Sequence, residues 1–169
     1  GGSLRWSETT GTNMIANPDI RGIILSFHDI TKGKRIEEEL QLLKALTYTI
    51  VKSKDFISAL EVTIRKVCES TGWIYGEAWV PSANGIYLEC SRAWYSCEGG
   101  FEKFRKGSEE FRFPLGVGLP GRVWASKKPN WISDVTLNYN FPRRQLAMKI
   151  GLKSAVAIPI IADNKVVAV

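Results

Sequence analysis

Residues 55–95 read DFISALEVTIRKVCESTGWIYGEAWVPSANGIYLECSRAWY, and this stretch decides the fold class. Asp55 carries the short oxygen-bearing side chain that caps a helix start, where it accepts a hydrogen bond from an amide with no intrahelical partner. From Phe56 to about Ser70, the apolar residues Phe56, Leu60, Ile64, Val67 and Cys68 recur at helical spacing and so share one face. Gly72 supplies the left-handed backbone with which helices commonly end. Two β-rich runs follow, Trp73–Val80 and Ile86–Tyr95, with Asn84-Gly85 between them as a hairpin turn. An amphipathic helix feeding an antiparallel hairpin predicts an α+β fold.

Downstream, a helical segment is predicted over Gly100–Gly107, and Phe111–Pro114 leads into a glycine-rich turn. Pro120 suits the first turn of a short helix reaching Ser126. Trp131-Ile132 reads as a short strand, Arg143–Ile150 as a helix and Ser154–Ile161 as one buried strand. Ala162-Asp163-Asn164-Lys165 turns the chain into a last strand, Val166–Val169. Upstream, Leu4–Ile15 and Gly22–Ile30 are strand-like and flank the turn signal Asn17-Pro18-Asp19. Such a hairpin is marginal alone in water, so it is expected to belong to a larger sheet. A helix then begins near Lys34. Its apolar residues Ile36, Leu40, Leu43 and Ile50, with Thr47 in the missing step, follow heptad spacing, and Leu42 and Leu46 widen the stripe. Packing within its own domain and pairing with a second copy both fit that stripe.

The bulk composition sets limits. Of 169 residues, 44% are hydrophobic and 24% charged, which is the balance of a globular domain. No apolar run approaches the roughly 20 residues of a membrane-spanning helix, and no signal-peptide core is present at the N-terminus, so the expected location is the cytoplasm, with a membrane anchor elsewhere in a longer parent left open. The odd cysteine set, Cys68, Cys90 and Cys97, argues against a disulfide framework. The lack of a C-x-x-C pair and the single histidine, His28, argue against structural zinc. The net charge of +6 is scattered among apolar residues rather than clustered, which reads as a solvated surface and not a nucleic-acid interface.

Two resemblances organise the chain. Thr10-Gly11-Thr12-Asn13, Asn17-Pro18, Gly22-Ile23-Ile24-Leu25, Phe27-His28-Asp29-Ile30-Thr31 and Glu37-Glu38-Glu39-Leu40 resemble the end of a PAS domain and its exit helix. In that family the Asp and Thr, here Asp29 and Thr31, tie the last strand to the outgoing helix. From about Ala45 the chain resembles a GAF domain of multi-sensor histidine kinases. The matching segments are Trp73-Ile74-Tyr75-Gly76-Glu77-Ala78-Trp79, Gly116-Val117-Gly118-Leu119-Pro120-Gly121-Arg122-Val123-Trp124 and Pro129-Asn130-Trp131-Ile132-Ser133-Asp134-Val135. Gly151-Leu152-Lys153-Ser154-Ala155 and Ala157-Ile158-Pro159-Ile160 extend the match. The resemblance implies PAS-derived strands over residues 1–31, a signalling linker helix over 32–52 and a GAF domain over 53–169 that lacks its C-terminal end. It implies a sensory function, a homodimer through the linker helix, a possible small-molecule ligand and a downstream kinase domain, with a diguanylate cyclase as the alternative output. The chain itself is then not an enzyme.

Several patterns in the chain bear chemistry that competes with that reading. Gly116-x-Gly118-x-x-Gly121 matches a dinucleotide fingerprint, but the helix after it is short and Asp134 falls too early for the ribose contact. The turn is read as one that needs glycine backbone angles, with free helix amides available to an anion. Free methionine sulfoxide reductases resemble GAF domains and use cysteine thiols. Here Gly118 and Leu119 stand where that family places one Cys, whereas Cys90 and Cys97 are candidates for neighbours near a strand end. Some GAF domains attach a bilin to a Cys, usually with an adjacent His, and an axial histidine is a common haem ligand. The GAF stretch has no histidine, so the cofactor is left unassigned and bilin and haem are disfavoured. A purely structural dimerisation module is a further alternative. The candidate ligand pocket comprises Trp79, Cys90, Arg92, Trp94, Phe113, Trp124, Trp131 and Phe141, with Arg122 and Arg143 as further candidates to orient an acidic ligand. Simple core packing is the competing account of each aromatic residue.

Overall fold

The computed structural model describes residues 4–52 and 55–169, with side chains described for all of these except residues 45–52. Contacts divide the chain into two units, Gly1–Tyr48 and Thr49–Val169.

In the first unit, β1 (Ser7–Met14) and β2 (Gly22–Asp29) form an antiparallel hairpin in continuous register from Ser7 opposite Asp29 to Met14 opposite Gly22. The turn closes through Asn17, whose Oδ1 accepts from the Asp19 amide at 2.9 Å. Helix α1 (Thr31–Lys52) starts directly after β2. The two residues singled out by the Asp-Ile-Thr pattern meet there. Asp29 Oδ1 accepts from the Thr31 amide at 2.9 Å, and Thr31 Oγ1 accepts from the Trp6 amide at 2.9 Å. These bonds tie the hairpin to the first turn of α1. The Thr31 hydroxyl, and then the Thr31 amide, hold the Asp29 carboxyl below its ordinary range. On α1, Ile36 and Leu40 are about half exposed, at 54% and 48%. Thr47, Ile50 and Leu46 lie outside the residues whose side chains are described.

The second unit opens with α2 (Phe56–Thr71). Asp55 is its N-cap, accepting from the Ser58 amide at 2.9 Å, and Gly72 ends it with φ 72°. β3 (Tyr75–Pro81) and β4 (Tyr87–Ser96) pair antiparallel, and β5 (Arg112–Pro114) pairs with β4. The β3–β4 loop is wider than a two-residue turn: the Ser82 amide donates to the Tyr87 carbonyl at 2.9 Å, and Asn84-Gly85 sits inside the closed loop. Between them in sequence and after them lie α3 (Glu102–Ser108), α4 (Gly118–Ser126), β6 (Asn130–Ile132) and α5 (Arg144–Lys149).

The single strand expected over Ser154–Ile161 is two strands. β7 (Ala155–Ala157) pairs with β6, and β8 (Ile160–Ala162) pairs with β9 (Lys165–Ala168). The break falls at Ile158-Pro159, where proline has no N–H to continue a ladder. β8 is also exposed rather than buried. Asp163 and Asn164, both at positive φ, make the tight turn into β9. The paired sheets are β3-β4-β5, β6-β7 and β8-β9. Trp79 and Val169 exchange backbone bonds of 2.9 and 2.8 Å, which sets the chain just past β9 beside β3. The α+β architecture with antiparallel sheets and flanking helices is as expected.

β3 separates two environments by strict alternation. Gly76 and Ala78 face α2, where Ala78 packs with Leu60, Ala93 and Ala168. The approach is close: a Cβ at Gly76 would sit 2.6 Å from Ile64 Cγ2. Tyr75, Glu77 and Trp79 point to the other face, which the excursion of α3, α4 and α5 covers.

Candidate functional site

On that second face, Arg143 at the cap of α5 places its guanidinium among four aromatic rings. Its central carbon lies 4.9 Å from the centroid of Trp79, 5.1 Å from Phe104 and 5.6 Å from both Phe113 and Phe141. All four rings are buried. Arg143 Nη1 donates to Glu77 Oε1 and, at 2.7 Å, to Ser108 Oγ. Side-chain exposure is only 7% for Arg143 and 8% for Glu77, so this ion pair is desolvated. Glu77 is held from two more sides: Trp79 Nε1 donates to it at 3.0 Å and Tyr75 Oη at 2.8 Å. Burial and the Glu77 charge push the Tyr75 phenol well above its ordinary range, so it stays a neutral donor. Arg143 Nε is buried without a hydrogen-bond partner among the described residues.

A second buried arginine sits beside this pair. Arg105 on α3 donates to Cys90 Sγ and to the Ser91 carbonyl, and its outer edge reaches Glu109 at 3.3 Å. Burial, then the nearby Glu77 charge, push the Cys90 thiol up to about 12, and the arginines only partly oppose this. Cys90 is therefore a protonated thiol at neutral pH and a poor nucleophile. Cys97 lies seven residues on, past the end of β4, on the order of 20 Å away along an extended chain. The expectation that Cys90 and Cys97 are neighbours fails for that reason.

The predicted pocket residues divide. Trp79, Phe113 and Phe141 meet in the box around Arg143, and Cys90 lies against Arg105. Trp124 packs on the edge of the Trp79–Leu88–Phe113 cluster. Trp94 instead contacts Tyr75, at 6.2 Å between centroids. Trp131 is 59% exposed and meets Trp73 edge-on. Arg92 is exposed on β4 and outside the box, where the β3–β4 register shifts between Glu77 and Trp79. Arg143 does not stand free for an acidic ligand, because Glu77 already neutralises it. Sequence reasoning did not select Glu77, Phe104, Arg105 or Ser108. The signal for Glu77 was present: one carboxylate at the middle of Tyr-x-Glu-x-Trp, on the same strand face as both aromatic residues.

The glycine turn is also settled. Gly116 and Gly118 have φ of 80° and 66°, and a Cβ on Gly121 would lie 2.2 Å from the Pro114 carbonyl oxygen. Asn140 Oδ1 accepts from the Gly118 amide at 2.8 Å, so a side chain of the domain occupies the place of an anion. An open cleft of about 590 Å³ adjoins the box, lined by Tyr75, Trp79, Phe141 and Arg143 and by Trp131 and residues 151–158.

A family model of the GAF domain matches residues 53–169, more than half of the chain. The chain belongs to the GAF domain family. Among curated proteins of Arabidopsis thaliana, it is similar to transcription factor bHLH13, at 40% identity over 34% of this chain and 10% of that protein. It is also similar to Protein NLP8, at 26% identity over 79% of this chain and 16% of that protein. The chain thus spans a small part of those relatives. Among solved structures, the GAF domain of a phosphoenolpyruvate-protein phosphotransferase from Coxiella burnetii covers 78% of this chain and 74% of its own, at TM-score 0.61 and 18% identity. Free methionine-R-sulfoxide reductase from Neisseria meningitidis, solved with its substrate, covers 75% and 67%, at TM-score 0.57 and 16% identity. At such identities the likeness is one of fold. GAF domains are sensory domains of signalling proteins. In this one the covered face of the sheet holds an arginine from its own chain. Among the described residues, no helix is long and apolar enough to cross a membrane.

Proposed function

We propose that this chain is the cytoplasmic sensory region of a two-component sensor histidine kinase. In this reading, ligand or conformational input in PAS and GAF segments passes through α1 to a downstream catalytic domain. The observation that carries it is the bonding of Asp29, Thr31 and Trp6 at the root of α1. A short polar lock at the junction of a strand pair and an amphipathic helix turns a change in strand pose into a change in helix pose. A parallel homodimer through α1 belongs to the same reading, supported by the heptad spacing of Ile36, Leu40, Leu43, Thr47 and Ile50 and by the half-exposed Ile36 and Leu40.

The full-length protein tests this. It is expected to label a histidine from ATP, and Asp29→Ala with Thr31→Ala is expected to change the labelling rate without loss of fold. Production of a cyclic dinucleotide instead would assign the cyclase output, and an unchanged rate would remove the lock from signalling. Sedimentation of the chain with Leu40→Lys and Leu43→Lys tests the dimer. A wild type that stays monomeric, or a variant that stays dimeric, excludes α1 as the interface. The likeness to a transcription factor supports a second reading, in which the output is transcriptional and no histidine is labelled.

A further inference from the structure

Four buried rings and a buried carboxylate form a receptor for a cation. Aromatic faces attract positive charge through their quadrupoles, most strongly where water is excluded, and a carboxylate at the box wall fixes the orientation of a planar donor. Arg143 fills this receptor with a group of the same chain. Three features mark the filling as incomplete. Arg143 Nε is buried with no partner among the described residues. Arg143 enters from the cap of a six-residue helix rather than from the sheet that carries Glu77 and Trp79. Glu77 and Arg143 also border the open cleft, so the pair has a route to solvent and space beside it.

We propose that the Glu77 box is a binding site for small guanidinium-type cations, with Arg143 as its built-in occupant, exchanged for ligand when the signal is present. Exchange releases the start of α5 from the sheet, which gives the cation differential affinity for two states of the domain, as a population shift requires. An anionic ligand is disfavoured, because Glu77 would stand unpaired beside it. The proposal rests on the sensory reading for its biological meaning but not for its chemistry.

The test is titration of methylguanidinium chloride into the wild-type chain, Arg143→Ala, and Arg143→Ala combined with Glu77→Gln. Binding is followed by the Trp79 indole N–H resonance, assigned by its loss in Trp79→Phe. Arg143→Ala is expected to bind about tenfold or more tightly than wild type, since the competing tethered group is gone. Adding Glu77→Gln is expected to cancel the gain, and sodium acetate is expected to produce no shift. If Arg143→Ala does not fold in buffer, methylguanidinium is expected to restore its near-ultraviolet circular dichroism where sodium chloride does not. Equal affinity in wild type and Arg143→Ala, binding that survives Glu77→Gln, or an unfolded variant that the cation does not rescue would each overturn the proposal. Binding as expected, combined with no effect of methylguanidinium on the full-length output, would leave the cation site standing and count against the sensory reading.

Discussion

β2 and β4 are both apolar-rich strands, yet they live in different surroundings. In β2, Ile23, Ile24, Leu25 and Phe27 are all exposed, and among the described residues β2 pairs with β1 alone. In β4, Leu88 and Ala93 are fully buried, one on the face of the aromatic box and the other under α2. The difference teaches that strand formation is a local property whereas burial is a property of what covers the strand. Pairing needs only a partner backbone and β-branched or aromatic side chains. A core needs layers on both faces, and here α2 and the excursion of α3 to α5 provide them.

Substitutions can break that comparison. Glu77→Ala leaves the Arg143 guanidinium buried without its counter-ion and is expected to destabilise the second unit by about 3–5 kcal/mol. Urea unfolding followed by tryptophan fluorescence reads this, and a loss under about 1 kcal/mol would show that the box admits water. Phe113→Ala is expected to cost about 3–5 kcal/mol, because Phe113 is 1% exposed and packs edge-on against Trp79 at 4.6 Å. Gly121→Ala drives a methyl group into the Pro114 carbonyl and is expected to cost about 1–3 kcal/mol, visible as a lower urea midpoint with unchanged slope. Phe27→Ala is the control. Phe27 is 68% exposed, and its truncation is expected to move stability by no more than about 0.5 kcal/mol. A loss as large as that of Phe113→Ala would mean that β2 has a cover in solution.

The smallest effect is one of pH. Hydrogen bonds from the Ser58 amide and hydroxyl hold the Asp55 carboxyl below its ordinary range. A depressed folded-state value means the cap contributes fully above the unfolded carboxylate range and is lost as pH falls through the folded value. The protection of the Ser58 amide, its exchange compared with the intrinsic rate at each pH, is therefore expected to fall on acidification below the ordinary Asp range, and Asp55→Asn is expected to flatten that dependence.

Much of the fold was legible because its signals are local. Asp55 and Gly72 bracket α2, the runs after Trp73 and Ile86 are strands, and Asp29 and Thr31 meet at the start of α1, since each depends on residues within a few positions along the chain. The site was legible in part. Trp79, Phe113 and Phe141, aromatic residues the sequence marks, meet around Arg143 rather than around an empty pocket. Arg92, in the same strand as Cys90, points elsewhere because the β3–β4 register shifts, an event no alternation pattern reveals. Ser154–Ile161 read as one strand because its apolar residues are continuous, yet the two halves serve different partners across Pro159.

By itself, then, the sequence determined the helices, the hairpins, the glycine turn and the α+β class, because caps, turn residues and periodicity act through neighbouring backbone groups. Only the tertiary structure decided that Arg143 is buried, that Glu77 neutralises it, and that Cys90 is a protonated thiol. These properties depend on groups tens of residues apart, 66 in the case of Glu77 and Arg143, brought together where water is excluded and charge must find a partner.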